Sequence, residues 1–235
     1  MDDNFSTTGI ARAETTSFDA GLRAHMVRVY NYMTGGLALT GVLAWIVANT
    51  ALAGIIYGTP LRWVVIFAPI AIVLGMQFKM QSLSPTALRA LFWSYCGTVG
   101  LSLGFVFLIY TNASVARAFF ITAGTFGAMS LWGYTTKKDL TSMGGFLMMG
   151  VLGLIIAGLV NLFLMSPVIY WITSMMGVCI FVGLTAYDTQ NIKEQYSANW
   201  GEDANSKLAV FGALRLYMDF INIFLNLLRL MGDRR

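Results

Sequence analysis

Long apolar runs separated by short polar breaks make up most of this chain of 235 residues. Six of the runs reach the roughly 20 residues that a helix needs to cross the hydrocarbon core of a bilayer. They cover residues 30–53, 61–80, 88–110, 115–134, 141–165 and 168–188. A seventh run of similar length, 208–230, contains charged side chains. The pattern predicts an all-α membrane protein, a bundle of seven transmembrane helices.

The composition supports this prediction and limits the number of domains. Hydrophobic residue types make up 57% of the chain and charged types 11%, whereas an ordinary soluble domain has about 25% charged residues. The breaks between the apolar runs are too short to hold a second domain. We therefore expect a polar cytoplasmic tail over residues 1–27 and a single polytopic membrane domain over residues 28–235.

Lys and Arg near the ends of the predicted spans indicate the orientation, because cytoplasmic loops carry an excess of both. With the N-terminus in the cytoplasm, the outside loops hold two, Arg62 and Arg117, and the inside segments hold nine. The nine are Arg12, Arg23, Arg28, Lys79, Arg89, Lys137, Lys138, Lys193 and Lys207. This asymmetry predicts a cytoplasmic N-terminus.

The side of the C-terminus stays open. Seven complete spans place Arg234 and Arg235 outside, whereas a last helix that enters and returns keeps them inside. The length of the run favours the first arrangement and the charges slightly favour the second.

The last apolar run carries a polar stripe. At about 100° per residue, Arg215, Asp219, Asn222, Asn226 and Arg229 fall on one face of a helix that is otherwise Leu, Ile, Phe and Met. An Asp at the bilayer centre costs about 2.5–3.5 kcal/mol on insertion scales. The stripe must therefore face protein or water, and we expect this helix in the middle of the bundle.

Two accounts explain the carboxylate at the centre of the stripe. Arg215 lies four residues before Asp219 and is a local partner at helical spacing. Alternatively, Asp219 meets Asp188, which ends the preceding predicted helix. Two carboxylates in a low-dielectric site do not easily both ionise, so the pair would share a proton and sense pH. When ionised, Asp188 and Asp219 would also offer hard oxygen ligands to Ca²⁺.

Several enzyme motifs are missing from the sequence. The chain has no HExxH, no GxxxxGK[ST] and no CxxC, and its one histidine, His25, excludes a His-rich zinc site. We therefore expect no enzyme activity, no resident cofactor and no nucleic-acid partner.

Two C-terminal segments resemble the signatures of the Bax inhibitor-1 family, the transmembrane Bax inhibitor motif group. They are AYDTQNI over residues 186–192 and LYMDFINIFLNLLRL over residues 216–230. Residues 124–150 are similar to the bacterial branch of that family. The resemblance implies seven helices with the C-terminal helix central, a bacterial inner membrane, and a pH-sensitive Ca²⁺ leak. The family's aspartate pair, the pH sensor, corresponds to Asp188 and Asp219.

The resemblance leaves two points open. Relatives in this branch can hold the aspartate pair with an arginine from the end of the second helix, but here that region reads GMQFKMQSLSPTALR. The latch would then be Lys79 or Arg215, or it would be absent. Bacterial relatives are also linked to a membrane-embedded quality-control protease, so a non-transporting interaction protein is the alternative function. The expected partners are the lipid bilayer, Ca²⁺, protons and that protease, and the expected state is a monomer or weak oligomer.

Overall fold

A computed structural model describes the backbone of residues 3–235 and the side chains of residues 19–235. The described chain is helical throughout, apart from short turns. Its elements are α1 (Asp3–Ala48), α2 (Leu52–Tyr57), α3 (Leu61–Phe78), α4 (Pro85–Ile109), α5 (Asn112–Thr135), α6 (Thr141–Leu164), α7 (Pro167–Gln195) and α8 (Glu202–Met231). Seven helical segments are long and apolar enough to cross a membrane: Asp19–Ala48 of α1, and α3 to α8. The predicted fold class is confirmed.

The C-terminal helix α8 occupies the centre of the bundle. In its apolar window 61% of the residues are buried, against 6% to 39% in the other six spans. It packs against α1, α4, α5 and α7, whereas α3 packs on the outside of α4 and α6 on the outside of α7. The ring around α8 thus has four main members, and α3 and α6, most of whose residues are not buried, lie outside it.

The last helix does not turn back within the bundle. α8 runs without a break to Met231 and has Gly232 at its C-terminal cap. The four residues after it pair with the turn between α4 and α5: the amide of Arg235 donates to Ile109 O, and the amide of Thr111 donates to Asp233 O. The α7–α8 loop lies at the other end of α8, so the two ends of this helix lie at opposite ends of the bundle.

Small residues allow α1 and α4 to pack closely. A Cβ on Gly100 would lie 2.9 Å from Thr40 O, and one on Gly104 would lie 2.7 Å from a methyl group of Val47. The segment from Gly100 to Gly104 also has the G-x-S-x-G spacing of a hydrolase nucleophile elbow, which needs a strand-to-helix turn. Here the segment lies inside α4, so it is a helix-packing motif.

The packed part of the bundle begins earlier than the predicted boundary at residue 28. Leu22, His25 and Met26 are buried against neighbouring helices. Helix α1 continues through the segment predicted to be a tail. The side chains of residues 1–18 lie outside the described part of the chain.

Candidate functional site: a carboxylate pair between α7 and α8

The polar stripe of α8 faces α7 along most of its length. Asn226 contacts the backbone of α7 at Gly177, where an added Cβ would meet its amide group at 2.7 Å. Further along, the guanidinium of Arg229 lies 5.8 Å from the centre of the Tyr170 ring. The spacing of 4, 3, 4 and 3 residues keeps the stripe on one side of α8. The antiparallel neighbour α7 therefore covers it.

Asp188 lies within α7, about two turns before its end at Gln195. The sequence predicted that this helix ends at Asp188, and that boundary is wrong. The residues after Asp188 are polar but still packed: Thr189 is fully buried, and Gln190 is 7% exposed. Asp188 is therefore held on a rigid helix and does not lie in a loop.

The carboxyl groups of Asp188 and Asp219 lie within hydrogen-bonding reach of each other. Asp219 is 4% exposed, and its Oδ2 atom has no hydrogen-bond partner among the described residues. A buried polar atom without a partner is costly and needs an explanation. A proton held between the two carboxyl groups would supply a hydrogen bond to this pair.

Arg215 is the cation beside the pair. Its Nη1 atom lies 3.9 Å from Oδ1 of Asp188, and its side chain is 39% exposed. The local ion pair predicted from helical spacing was between Arg215 and Asp219, but the contact that meets the salt-bridge distance is across to α7. The guanidinium also acts electrostatically on Asp219. Arg215 therefore interacts with both carboxyl groups while its own side chain stays partly exposed.

Lys79, the other candidate latch, is exposed at the C-terminal cap of α3. No ion pair of its side chain is found in the described part of the chain. Of the two candidates for the latch, the structure places Arg215 next to the aspartate pair.

The two asparagines of the stripe bond to their own helix. Asn222 Nδ2 donates to Met218 O and Asn226 Nδ2 donates to Asn222 O, both at 2.8 Å. Among the described residues, no hydrogen bond to either side-chain oxygen is found. Their role in ion passage stays a prediction.

Two further groups at this site were not singled out from the sequence. Thr189, next to Asp188, bonds to Ser130 of α5 at 3.0 Å, and Ser130 bonds to Tyr30 of α1 at 2.6 Å. Gln190 accepts from the Leu140 amide and donates to Lys138 O, each at 2.8 Å. The sequence feature that could have indicated both residues is a hydroxyl or amide side chain in an apolar helix, where interhelical hydrogen bonds are common.

The site has little capacity for tight cation binding. Ca²⁺ prefers six to eight oxygen ligands, and Asp188 and Asp219 supply one carboxyl group each. No cluster of three or more His, Cys, Asp or Glu side chains suited to a metal is found among the described residues. The arrangement is suited to brief contact with a passing cation more than to a resident metal ion.

Comparisons with known proteins place the chain in a family. The profile described as "Inhibitor of apoptosis-promoting Bax1" matches residues 22–235, a range that includes both aspartates, six of the seven apolar helices in full and the first from residue 22 onward. The chain is 43% identical over 233 residues to protein RP147 of Rickettsia prowazekii, covering 99% of each chain. It is 44% identical over 225 residues to inner membrane protein YbhL of Escherichia coli, covering 92% of this chain and 94% of that one. These matches show that the chain belongs to the Bax inhibitor-1 family of membrane proteins.

Proposed function

We propose that this protein is a calcium leak channel whose state is set by the proton shared between Asp188 and Asp219. The observation that carries the proposal is the placement of these two carboxyl groups, within reach of each other between two spanning helices. A purely structural helix face would not need two acids at the same depth. Asp219 Oδ2 is buried without a described partner, so a proton or a cation at this atom would supply the interaction that it lacks.

The mechanism follows from the charge of the pair. With a proton between them, the carboxyl groups form a hydrogen bond that joins α7 to α8. Without it, two like charges at hydrogen-bonding distance repel by about 4–5 kcal/mol at an effective dielectric of about 20. A bias of this size is close to the ~5.5 kcal/mol that moves a two-state equilibrium from 1:99 to 99:1. Loss of the proton would therefore be able to switch the packing of α7 against α8.

Ca²⁺ is the substrate in this proposal and not a resident cofactor. The ionised pair would offer carboxylate oxygens to the ion, and the side-chain oxygens of Asn222 and Asn226 continue the polar face of α8. Arg215 would weaken cation binding at the pair, which favours release over retention. The name of the E. coli relative YbhL places that protein in an inner membrane; we infer the same membrane for this chain, with the N-terminus in the cytoplasm.

The test is Ca²⁺ entry into liposomes that contain the purified protein and a trapped Ca²⁺-sensitive dye. The proposal expects entry down the gradient without ATP, at a rate that changes between pH 5 and pH 8. Protein-free liposomes provide the control for bilayer leakage. Rates equal to this control at every pH would rule out the leak, and a non-transporting interaction protein would then be the better description.

A further inference from the structure

A long crevice separates α1 from α5 on the outside of the bundle. α1 packs against α4 and α8, and α5 packs against α7 and α8, but the two helices do not pack against each other along their length. Three connected hollows of about 420, 580 and 300 Å³ follow the gap. The first two share Tyr30 and Phe126, and the last two share Leu37, Phe119 and Phe220.

The length of the crevice is close to the thickness of the hydrocarbon core of a bilayer. On α1 its lining extends from Arg23 to Ala44, which is roughly 30 Å at 1.5 Å per residue. The hydrocarbon core of a bilayer has about the same thickness. Apart from hydroxyl groups, Asn112 and the entrance at Arg23, the lining is apolar, and its floor includes Phe220 of the central helix.

Cations lie at both ends of the crevice, but only Arg23 lines the crevice itself; at the far end Arg235 donates to Asn112 at 3.0 Å. Arg23 lines the end that lies beside the α5–α6 turn, which carries Lys137 and Lys138. Next to it, Lys193 Nζ donates to Tyr134 O at 3.0 Å and lies over the ring of Tyr134, a residue that also lines this end. Asp19 precedes Arg23 by one turn but does not line the crevice. The entrance therefore favours an anion.

The crevice is too narrow for another helix. The hydroxyl groups of Tyr30 and Ser130 meet across it at 2.6 Å, whereas a helix with its side chains is about 10–12 Å across. A helix could enter only if this bond broke and α1 and α5 moved apart. A hydrocarbon chain is much thinner than a helix, and Tyr30 and Phe126 line the hollows on both sides of this contact.

We propose that the crevice binds one phospholipid with an anionic headgroup, its phosphate at Arg23 and one acyl chain between α1 and α5. The site is independent of whether the protein conducts Ca²⁺. Its occupant would contact Phe220, which follows Asp219 in the chain, and Tyr30, which is linked through Ser130 to Thr189 beside Asp188. A lipid in this position therefore contacts the immediate surroundings of both acids.

Two glycines allow a sharp test because they face the open crevice. A Cβ on Gly41 or Gly127 would meet nothing within 4 Å, so Gly41→Leu with Gly127→Leu directs two larger side chains into the crevice from positions where the first side-chain atom is unobstructed. Leucine is also a better helix former than glycine. The matched control is Gly153→Leu with Gly158→Leu in α6, where the Cβ positions are equally open.

The measurement is native mass spectrometry of delipidated protein titrated with phosphatidylglycerol or phosphatidylcholine. We expect one phosphatidylglycerol per chain, bound more tightly than phosphatidylcholine, and strongly weakened by the crevice-filling pair but not by the α6 pair. Arg23→Gln should weaken phosphatidylglycerol binding by about fivefold, which corresponds to about 1 kcal/mol for one cation near a lipid surface. Arg62→Gln, a cation stacked on Trp63 at the start of α3, should leave that binding unchanged.

Three results would overturn the proposal. Equal binding of the two lipids would show that the site does not select an anionic headgroup. Unchanged binding in the crevice-filling pair would show that the lipid does not bind in the crevice. An equal loss of binding in Arg23→Gln and Arg62→Gln would show attraction to surface charge in general and no site at this entrance.

Discussion

Replacement of Arg215 by Gln would remove the cation beside the aspartate pair while leaving a side chain of similar length. Arg215 favours the ionised state of the pair, because its guanidinium attracts the carboxylate of Asp188. Without that attraction, the pair should keep its proton to a higher pH. In the proposed channel, the midpoint of the pH response of Ca²⁺ flux should therefore move upward.

The size of the shift follows from the contact between Arg215 Nη1 and Asp188 Oδ1. Unit charges separated by 3.9 Å attract by about 4 kcal/mol at an effective dielectric of about 20. The side chain of Arg215 is 39% exposed, so screening by solvent leaves roughly 1 kcal/mol. A change of that size moves a titration by about 0.7 pH unit.

The assay is Ca²⁺ flux into proteoliposomes, measured in steps of a quarter of a pH unit. Arg215→Lys keeps the charge and should preserve the midpoint approximately. Arg229→Gln is the matched control, since Arg229 lies on the same face of α8 but packs over Tyr170, away from the pair. A downward shift in Arg215→Gln, or an equal shift in Arg229→Gln, would refute this reasoning.

Three other predictions concern packing, capping and topology. Gly133→Ala places a Cβ 2.3 Å from a backbone oxygen of α7 and should lower the stability of the fold by about 1–3 kcal/mol. Gly124→Ala on the same helix is the control, because its Cβ meets nothing within 4 Å. The two variants are compared by thermal unfolding in detergent, and equal melting temperatures would contradict the close approach of α5 to α7. Hydrogen bonds from Thr141 lower the pKa of Asp139, so its contribution to stability is present above the ordinary Asp pKa of about 3.9 and is lost as the pH falls through the lowered value. Asp139→Asn should accordingly melt below the wild type at pH 7, with the difference disappearing in acid, and a difference independent of pH would argue against a role for the Asp139 charge in these hydrogen bonds. In a cysteine-free background, Arg234→Cys should react with an impermeant thiol reagent from outside the cell and Lys138→Cys only after permeabilisation, and the opposite pattern would reverse the orientation.

The sequence was sufficient to predict much of the fold and the main residues of the candidate site. Helices that span lipid need long apolar runs. The number and approximate positions of the spans therefore followed from the pattern of apolar runs along the sequence. The charges in α8 stood out because charged residues are rare at that depth. The hydrogen bond at the start of α6 was also predictable, since Asp139 lies two residues before Thr141 and accepts its amide hydrogen at 2.8 Å.

Other features depend on packing between distant parts of the chain. The end of α7 was placed too early because Asp188, Thr189 and Gln190 are polar, and only the contacts with α5 and the α5–α6 turn explain why the helix continues. The partner of Arg215 lies on α7, which local spacing does not reveal. The crevice between α1 and α5 depends on how two helices that are distant in the sequence pack around α8. Apolar composition does not distinguish a crevice from a packed interface.

The central claim is that Asp188 and Asp219 act as one unit, and a double-mutant comparison tests it most directly. Ca²⁺ flux into proteoliposomes between pH 5 and pH 8 is measured for Asp188→Asn, Asp219→Asn and the double variant, each checked for folding by thermal unfolding. If the acids share one proton, each single substitution removes most of the pH response and the double variant loses little more. A full pH response in a folded Asp188→Asn variant, or losses that simply add in the double variant, would contradict the account.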